Sequence, residues 1–333
     1  MKQLISLISL LMLIPVFAGA QQKTYAEKLG FKKGAKVIIL HVDDLGMSYS
    51  SNRGALLAIN EGLANSGSIM MPCPWVPGIV NYMKEHPGYD FGLHLTFTSE
   101  WDDYRWGPVA GVNCVPSLTD GQGKLWDNVG LVVKNASVED FETEMRAQID
   151  LALRMGVKPT HLDSHMGTVF AKPEFIRTYV KLGIEYGIPV LFPGGHNTIV
   201  SRDFKDNPEF MEQAREIGKQ LWAAGLPVVD DVISDTYDWR LPEGMEKTDK
   251  NLRDYKTSKF IERFNEMKPG ITEVILHCTE PSDVFGHITP SGETRKGDLL
   301  AMLDPKLKEY IEKEGIILTT WKELSERRKK VQE

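Results

Sequence analysis

Cysteine is scarce in this chain: three in 333 residues, Cys73, Cys114 and Cys278. So few cannot build a disulfide scaffold, and no pair stands at the CxxC spacing of a structural zinc site. One disulfide with an odd thiol left over, or three buried thiols, are the options that remain. A basic excess is also missing. The formal net charge is -7 and the pI about 5.7, which excludes the phosphate-neutralising footprint of a nucleic-acid binder. There is no internal repeat, no low-complexity tract, and no long apolar stretch after the first twenty residues. What is left, 42% hydrophobic and 26% charged, is the composition of a globular protein with a sizeable core.

The first twenty residues differ from the rest. Lys2 precedes an apolar run from Leu4 to Phe17 that ends in Ala18-Gly19-Ala20, the pattern of a secretory signal with a small-residue cleavage site. Export to the periplasm or the medium is the expectation, without stable membrane insertion once the signal is cut. A membrane anchor, the alternative, needs about 20 apolar residues without a cleavage pattern. A polar segment over 21–36 and one domain over 37–333 complete the expected organisation.

Short β-branched runs alternate with segments of helical period. Strands are expected at 37–44, 66–73, 90–97, 159–165, 189–192, 227–234, 273–279 and 315–321, and helices at 52–64, 138–155, 174–186, 208–224, 258–267 and 298–314. Gly67, Gly156, Gly187, Gly225, Gly270 and Gly315 stand where left-handed helix ends would lead into strands. Strands separated by helices or long crossovers imply an α/β fold, a parallel sheet closed as a TIM-like (β/α) barrel, regular or irregular; a doubly wound open sheet is the alternative.

In such a barrel, chemistry gathers at the C-terminal ends of the strands. Asp43 and Asp44 end the first expected strand, His94 nearly ends the third, Asp163 and His165 end the fourth, and His277 nearly ends the seventh. Asp230, Asp231 and Asp235 fall near the end of the sixth. Adjacent carboxylates closing an apolar strand could be a turn pair. They could equally point to opposite sides, one binding a cation while its neighbour takes a proton from water. His94 alone in an apolar strand is more often a core residue than a ligand. His161-Leu162-Asp163-Ser164-His165 is stronger, because alternate residues of a strand share a face and burying three unpartnered polar groups would cost roughly 1–3 kcal/mol each. Two imidazoles and a carboxylate with open positions suit a divalent ion, Zn²⁺ first, with Mg²⁺ or another first-row ion as alternatives.

These residues resemble the YdjC-like carbohydrate deacetylases, relatives of the polysaccharide deacetylases. The resemblance is carried by Val42-Asp43-Asp44-Leu45-Gly46 followed by Asn52, by Gly92-Leu93-His94-Leu95-Thr96, by His161-Leu162-Asp163-Ser164-His165, and by the late His277, Arg295 and Asp298. It implies that Asp44, His94 and His165 are metal ligands, Asp43 the general base and His277 the general acid. It also implies a substrate that is an N-acetylated mono- or oligosaccharide. Gly167 stands where many members carry a further His, and His277-Cys278-Thr279-Glu280 replaces a usual His-Pro-Gly, so specificity is the property these departures touch.

Trp101, Tyr104, Trp106 and Trp126, in the long insertion 98–134, and Tyr237 could stack on sugar rings, or pin their loops to the core. Arg295 could steady Asp43, reach substrate, or pair with Asp298. A metal-dependent esterase or phosphoesterase and an inactive glycan-binding barrel are the rival functions; a homodimer is an open option.

Overall fold

A computed structural model describes residues 23–202 and 208–331; the expected signal segment lies outside them. At its centre is β1 (Lys36–Leu45), in which Val37, Ile38, Ile39, Leu40 and Val42 expose no surface. A strand covered on both faces reads as such a continuous apolar run. With it stand β2 (Ser66–Ile69), β3 (Phe91–Leu95), β4 (Leu162–Ser164), β5 (Asp231–Ile233), β6 (Gly270–Leu276) and β7 (Ile317–Leu318). Every pairing is parallel, in the order β4-β3-β2-β1-β6-β5, with β7 against the start of β1. Segment 189–193 spans the interval between β4 and β5 through the bridges Leu162↔Val190 and Pro193↔Val229. The order therefore returns on itself, as in an irregular TIM-like (β/α) barrel, rather than spreading outward from a middle strand as in a doubly wound sheet.

Where elements differ from expectation, single residues explain it. The fifth expected strand, 189–192, survives only as those bridges, because Pro189 and Pro193 have no N–H to donate to a ladder. The expected helix 298–314 is two helices, Gly292–Met302 and Pro305–Lys313, since Asp304 caps the second and Pro305 opens it. The last expected strand, 315–321, is cut to β7, and Thr320 caps the helix Trp321–Lys330. Helices Val76–Glu85 and Val129–Asn135 were not anticipated. Five of the six glycines have positive φ; Gly67 does not, lying instead inside β2.

The polar segment before β1 carries a short helix, Tyr25–Lys28, with Tyr25, Ala26, Leu29 and Phe31 buried. Its first amides, of Tyr25 and Ala26, donate to Asp230 at 2.8 and 3.1 Å, and so does the amide of Ile271 at 2.9 Å. Asp231 likewise accepts from Ile199 and Val200. These two aspartates precede or begin β5 and tie loops together; they are not at its C-terminal end. The three thiols are free, Cys73 and Cys278 buried and Cys114 exposed.

The barrel interior is unusually polar. His41, Ser66, Ser68, His161, Asp163 and Glu273 are all buried within it. Gly92 makes room for this layer: a Cβ there would lie 2.5 Å from the His161 carbonyl oxygen and 2.6 Å from its ring. Glu273 faces His41, its Oε1 3.6 Å from Nδ1, and neither carboxyl oxygen has a hydrogen-bond partner among the described residues. Burial pushes its pKa up to about 8, against the pull of His41. The folded chain therefore holds this proton where the unfolded chain, titrating near about 4.3, has lost it. The resulting stability is full below the unfolded value and is lost as pH rises through about 8. Glu273→Gln, a neutral near-isostere, is expected to flatten the fall in Tm between about pH 5 and 8 and to raise Tm at pH 8 by a few degrees. Melting curves of both proteins across that range check it; parallel curves would count against a neutral Glu273.

Candidate metal centre and active site

The site is built where β1, β3, β4 and β6 end. β1 does not finish as a regular strand: its register against β2 shifts between Val42 and Leu45, and Asp44 has φ 66. That left-handed conformation costs a non-glycine residue roughly 1–2 kcal/mol, with Asp and Asn among the residues that tolerate it best. Its effect is to cancel the alternation of an extended strand. The two carboxylates do not point to opposite sides, as the sequence suggested; Asp43 Oδ2 and Asp44 Oδ1 lie 3.6 and 3.4 Å from the same atom, His94 Nε2.

Each imidazole is held by a carboxylate on the nitrogen away from Asp44. His94 Nδ1 is 2.8 Å from Asp163 Oδ1, and His165 Nε2 is 2.9 Å from Glu100 Oε1. With Nδ1–H of His94 and Nε2–H of His165 donated to those acids, the lone pairs at His94 Nε2 and His165 Nδ1 face Asp44 Oδ1, each at 3.4 Å. Carboxylate–imidazole pairs of this kind fix ring tautomer and raise ligand basicity in metal sites. Asp44 Oδ1 is buried and has no hydrogen-bond partner among the described residues; Arg295 Nη1 takes the other oxygen at 2.6 Å. Two donors of a tetrahedral ion at about 2.1 Å are separated by roughly 3.4 Å. Both imidazole nitrogens stand at that separation from Asp44 Oδ1, and the three ligand atoms lie within 4.8 Å of one another, close enough to hold a divalent cation; a buried, unpartnered carboxylate oxygen is costly without one.

The adjacent carboxylates differ in charge state for reasons visible in their neighbours. Burial opposes ionisation of Asp44, but Arg295 and the two imidazoles outweigh it and hold the acid well below the usual carboxylate range. Burial also raises Asp43 and there prevails, although His94 and His41, the latter 3.2 Å from Oδ1, pull the other way. Asp44 is thereby held as an anion, and Asp43 is the more basic of the pair. His277 follows β6, its Nε2 3.9 Å from Asp43 Oδ2 and its ring 4.9 Å from that of Tyr237. Burial and then Arg295 lower its pKa well below the usual imidazole value, so it rests neutral rather than protonated.

A cavity of about 520 Å³ opens on these groups, and its lining includes Asp43, Asp44, His94, His165, His277 and Arg295. Of the aromatic candidates, Trp101 and Tyr237 line it. Trp106 and Trp126 do not: their indole N–H groups donate to the carbonyls of Thr98 and Ser117, each at 2.9 Å, and pin the long insertion. Tyr104 likewise donates to the Met47 carbonyl rather than lining the cavity. Arg295 neither steadies Asp43 nor pairs with Asp298; its guanidinium lies over Tyr237 and pairs with Asp44, while Asp298 takes Lys256 at 2.7 Å. Glu100 was not foreseen at all. It sits in irregular chain with no pattern to mark it, and only the fold brings it to His165.

The family model for YdjC-like protein matches residues 37–313. Among curated proteins, the chain is 29% identical over 285 residues to a carbohydrate deacetylase of Thermus thermophilus, covering 86% of this chain and 92% of that one. It is 35% identical over 166 residues, 50% of this chain and 63% of the other, to a carbohydrate deacetylase of Brevibacillus brevis. Among solved structures, a protein of Enterococcus faecalis V583 whose name proposes cleavage of cellobiose phosphate superposes with TM-score 0.69 at 18% identity, covering 87% of this chain and 99% of that one; at that identity the likeness shows the fold. With the motifs at Asp43-Asp44, His94 and His161-Leu162-Asp163-Ser164-His165 inside the matched region, the chain belongs to the YdjC-like family.

Proposed function

We propose that the protein is a metal-dependent hydrolase that removes acetyl groups from N-acetylated sugars, with Asp44, His94 and His165 holding the ion. The observation that carries this reading is the convergence of Asp44 Oδ1, His94 Nε2 and His165 Nδ1, each turned inward by a partner on its far side. The substrate class is supported by relatives named carbohydrate deacetylase over most of the chain. Zn²⁺ suits two imidazoles and one carboxylate, with Mg²⁺ or another first-row ion as alternatives. When bound, a divalent ion polarises the acetamide carbonyl and acidifies water beside it.

The protein's own groups supply the proton transfers. Asp43, its basicity increased by burial, takes a proton from the attacking water as oxygen bonds to the carbonyl carbon. Asp44 is the weaker base of the two, since Arg295 holds its pKa low. As the C–N bond breaks, His277 donates a proton to the departing amine, which leaves poorly without one. His277 rests neutral, so its proton arrives during the reaction, and Asp43 Oδ2 at 3.9 Å is a nearby source. The balance is one water and one amide consumed, one acetate and one protonated amine formed. Delivery outside the cytoplasm is part of the proposal and rests on the pattern of residues 1–20 alone.

Acetate release from N-acetylglucosamine, N,N′-diacetylchitobiose and an O-acetylated sugar, each with and without chelator, tests the reading. Release from the amides that stops with chelator and returns with added ion is expected. Release from the ester alone, or release indifferent to chelator, would overturn it.

A further inference from the structure

A buried imidazole beneath the site takes no part in the steps above. His41 lies in β1 two residues before Asp43, and alternate residues of a strand share a face, so both side chains enter the barrel interior, His41 a layer deeper. Barrel interiors are filled mainly by Val, Ile and Leu. Here a histidine interrupts the apolar run of β1, exposes no surface and is not among the residues lining the cavity. Burying it is costly unless its nitrogens are partnered.

Both nitrogens have partners. Nδ1 faces Ser66 Oγ at 3.0 Å and Glu273 Oε1 at 3.6 Å. Nε2 faces Ser68 Oγ at 3.0 Å, Asp163 Oδ2 at 2.8 Å and Asp43 Oδ1 at 3.2 Å. An ionised carboxylate only accepts, so Nε2 carries its proton on this side; a bare lone pair would be repelled by both acids. Ser68 is the aligned partner of that nitrogen, and Asp43 Oδ1 and Asp163 Oδ2 have no other hydrogen-bond partner among the described residues. Their hold on the ring is electrostatic. His41 is also the nearest of three imidazoles around Asp43, since His94 Nε2 and His277 Nε2 stand 3.6 and 3.9 Å from its other oxygen. Asp163, for its part, holds His94 Nδ1 at 2.8 Å through Oδ1. A single ring nitrogen therefore lies between two like-charged acids, one the proposed base and the other the orienter of a proposed metal ligand.

We propose that His41 is a positioning residue: it anchors the Oδ1 edge of Asp43, leaving Oδ2 toward His94 and His277, and by the same nitrogen it steadies Asp163 behind His94. The task given to Asp43 rests on the deacetylase reading; the anchoring itself does not.

Three variants of the metal-loaded protein test this, each assayed on N,N′-diacetylchitobiose with the ion at saturation. His41→Leu removes both nitrogens. His41→Gln sets an amide N–H near the place of Nε2, and His41→Asn is too short to do so and serves the Nδ1 side. For His41→Leu, kcat is expected to fall about 100-fold with KM within about twofold, the scale on which misplacing a reacting group slows a step. His41→Gln should recover about tenfold of that loss, and His41→Asn should not. A merely structural His41 would instead lower Tm in all three and leave kcat per folded molecule unchanged. Folded His41→Leu turning over within about threefold of wild type, or His41→Gln no faster than His41→Asn, would overturn the proposal; if His41→Leu does not fold, the second comparison decides. If the wild type hydrolyses no amide, the deacetylase reading fails separately, and crystal structures of His41→Gln and His41→Asn decide the anchoring. Asp43 held in the first and turned away in the second supports it; Asp43 placed alike in both overturns it.

Discussion

Asp44→Asn is expected to remove the ion and lower kcat/KM by roughly 10³-fold or more, since an ion's stabilisation of the transition state is worth several kcal/mol. The substitution suits the question because Asn tolerates left-handed backbone, so φ 66 can persist. It keeps an oxygen within reach of Arg295 while discarding the negative charge on which both the ion and Arg295 depend. Buried guanidinium left short of its counter-charge will cost stability too, so circular dichroism and a melting curve should accompany the assay. A folded variant that lacks the ion and does not turn over is the expected outcome. One that retains a full equivalent of ion would remove Asp44 from the coordination sphere.

Asp43→Asn should separate binding from chemistry. Asp43 shares its backbone neighbourhood and His94 with Asp44 but differs in its other partners, and burial raises its pKa where Arg295 pins that of Asp44 low. An amide at position 43 cannot accept the proton of water, so kcat should fall about 10²- to 10⁴-fold, the usual contribution of a general base. Ion content should stay at the wild-type level. Metal analysis and steady-state kinetics on the same preparation give both numbers. Unchanged turnover, or loss of the ion together with activity, would assign Asp43 a different role.

These two aspartates also show where sequence reading stops. An apolar run closed by paired carboxylates was legible, as was the placing of His94, His165 and His277 at strand ends of a parallel barrel, because period and burial follow from residue type. The direction of each carboxylate was not. It depends on one left-handed residue and a register shift, and Asp residues adopt that conformation too rarely for spacing to reveal it. Partnerships across long separations were equally hidden: Arg295 reaches Asp44 across 251 residues, and Glu100 reaches His165 across 65. Asp230 and Asp231 illustrate the converse error. They fell within an expected strand end, yet the strand is short and they serve backbone amides at its beginning. The aromatic insertion divided as its two readings allowed, with Trp101 on the cavity and Trp106 and Trp126 holding the loop.

Asp304-Pro305 is a cap followed by a helix-opening proline, enough to divide a run of helical period in two. Prolines at 189 and 193 likewise argue against a full strand between them.

The most direct measurement is anomalous diffraction at the zinc edge from crystals grown with Zn²⁺. A single strong peak about 2.0–2.2 Å from Asp44 Oδ1, His94 Nε2 and His165 Nδ1 is the predicted result. A peak bound by other side chains, or ligation through the opposite nitrogen of either ring, would contradict the coordination on which the proposed chemistry depends.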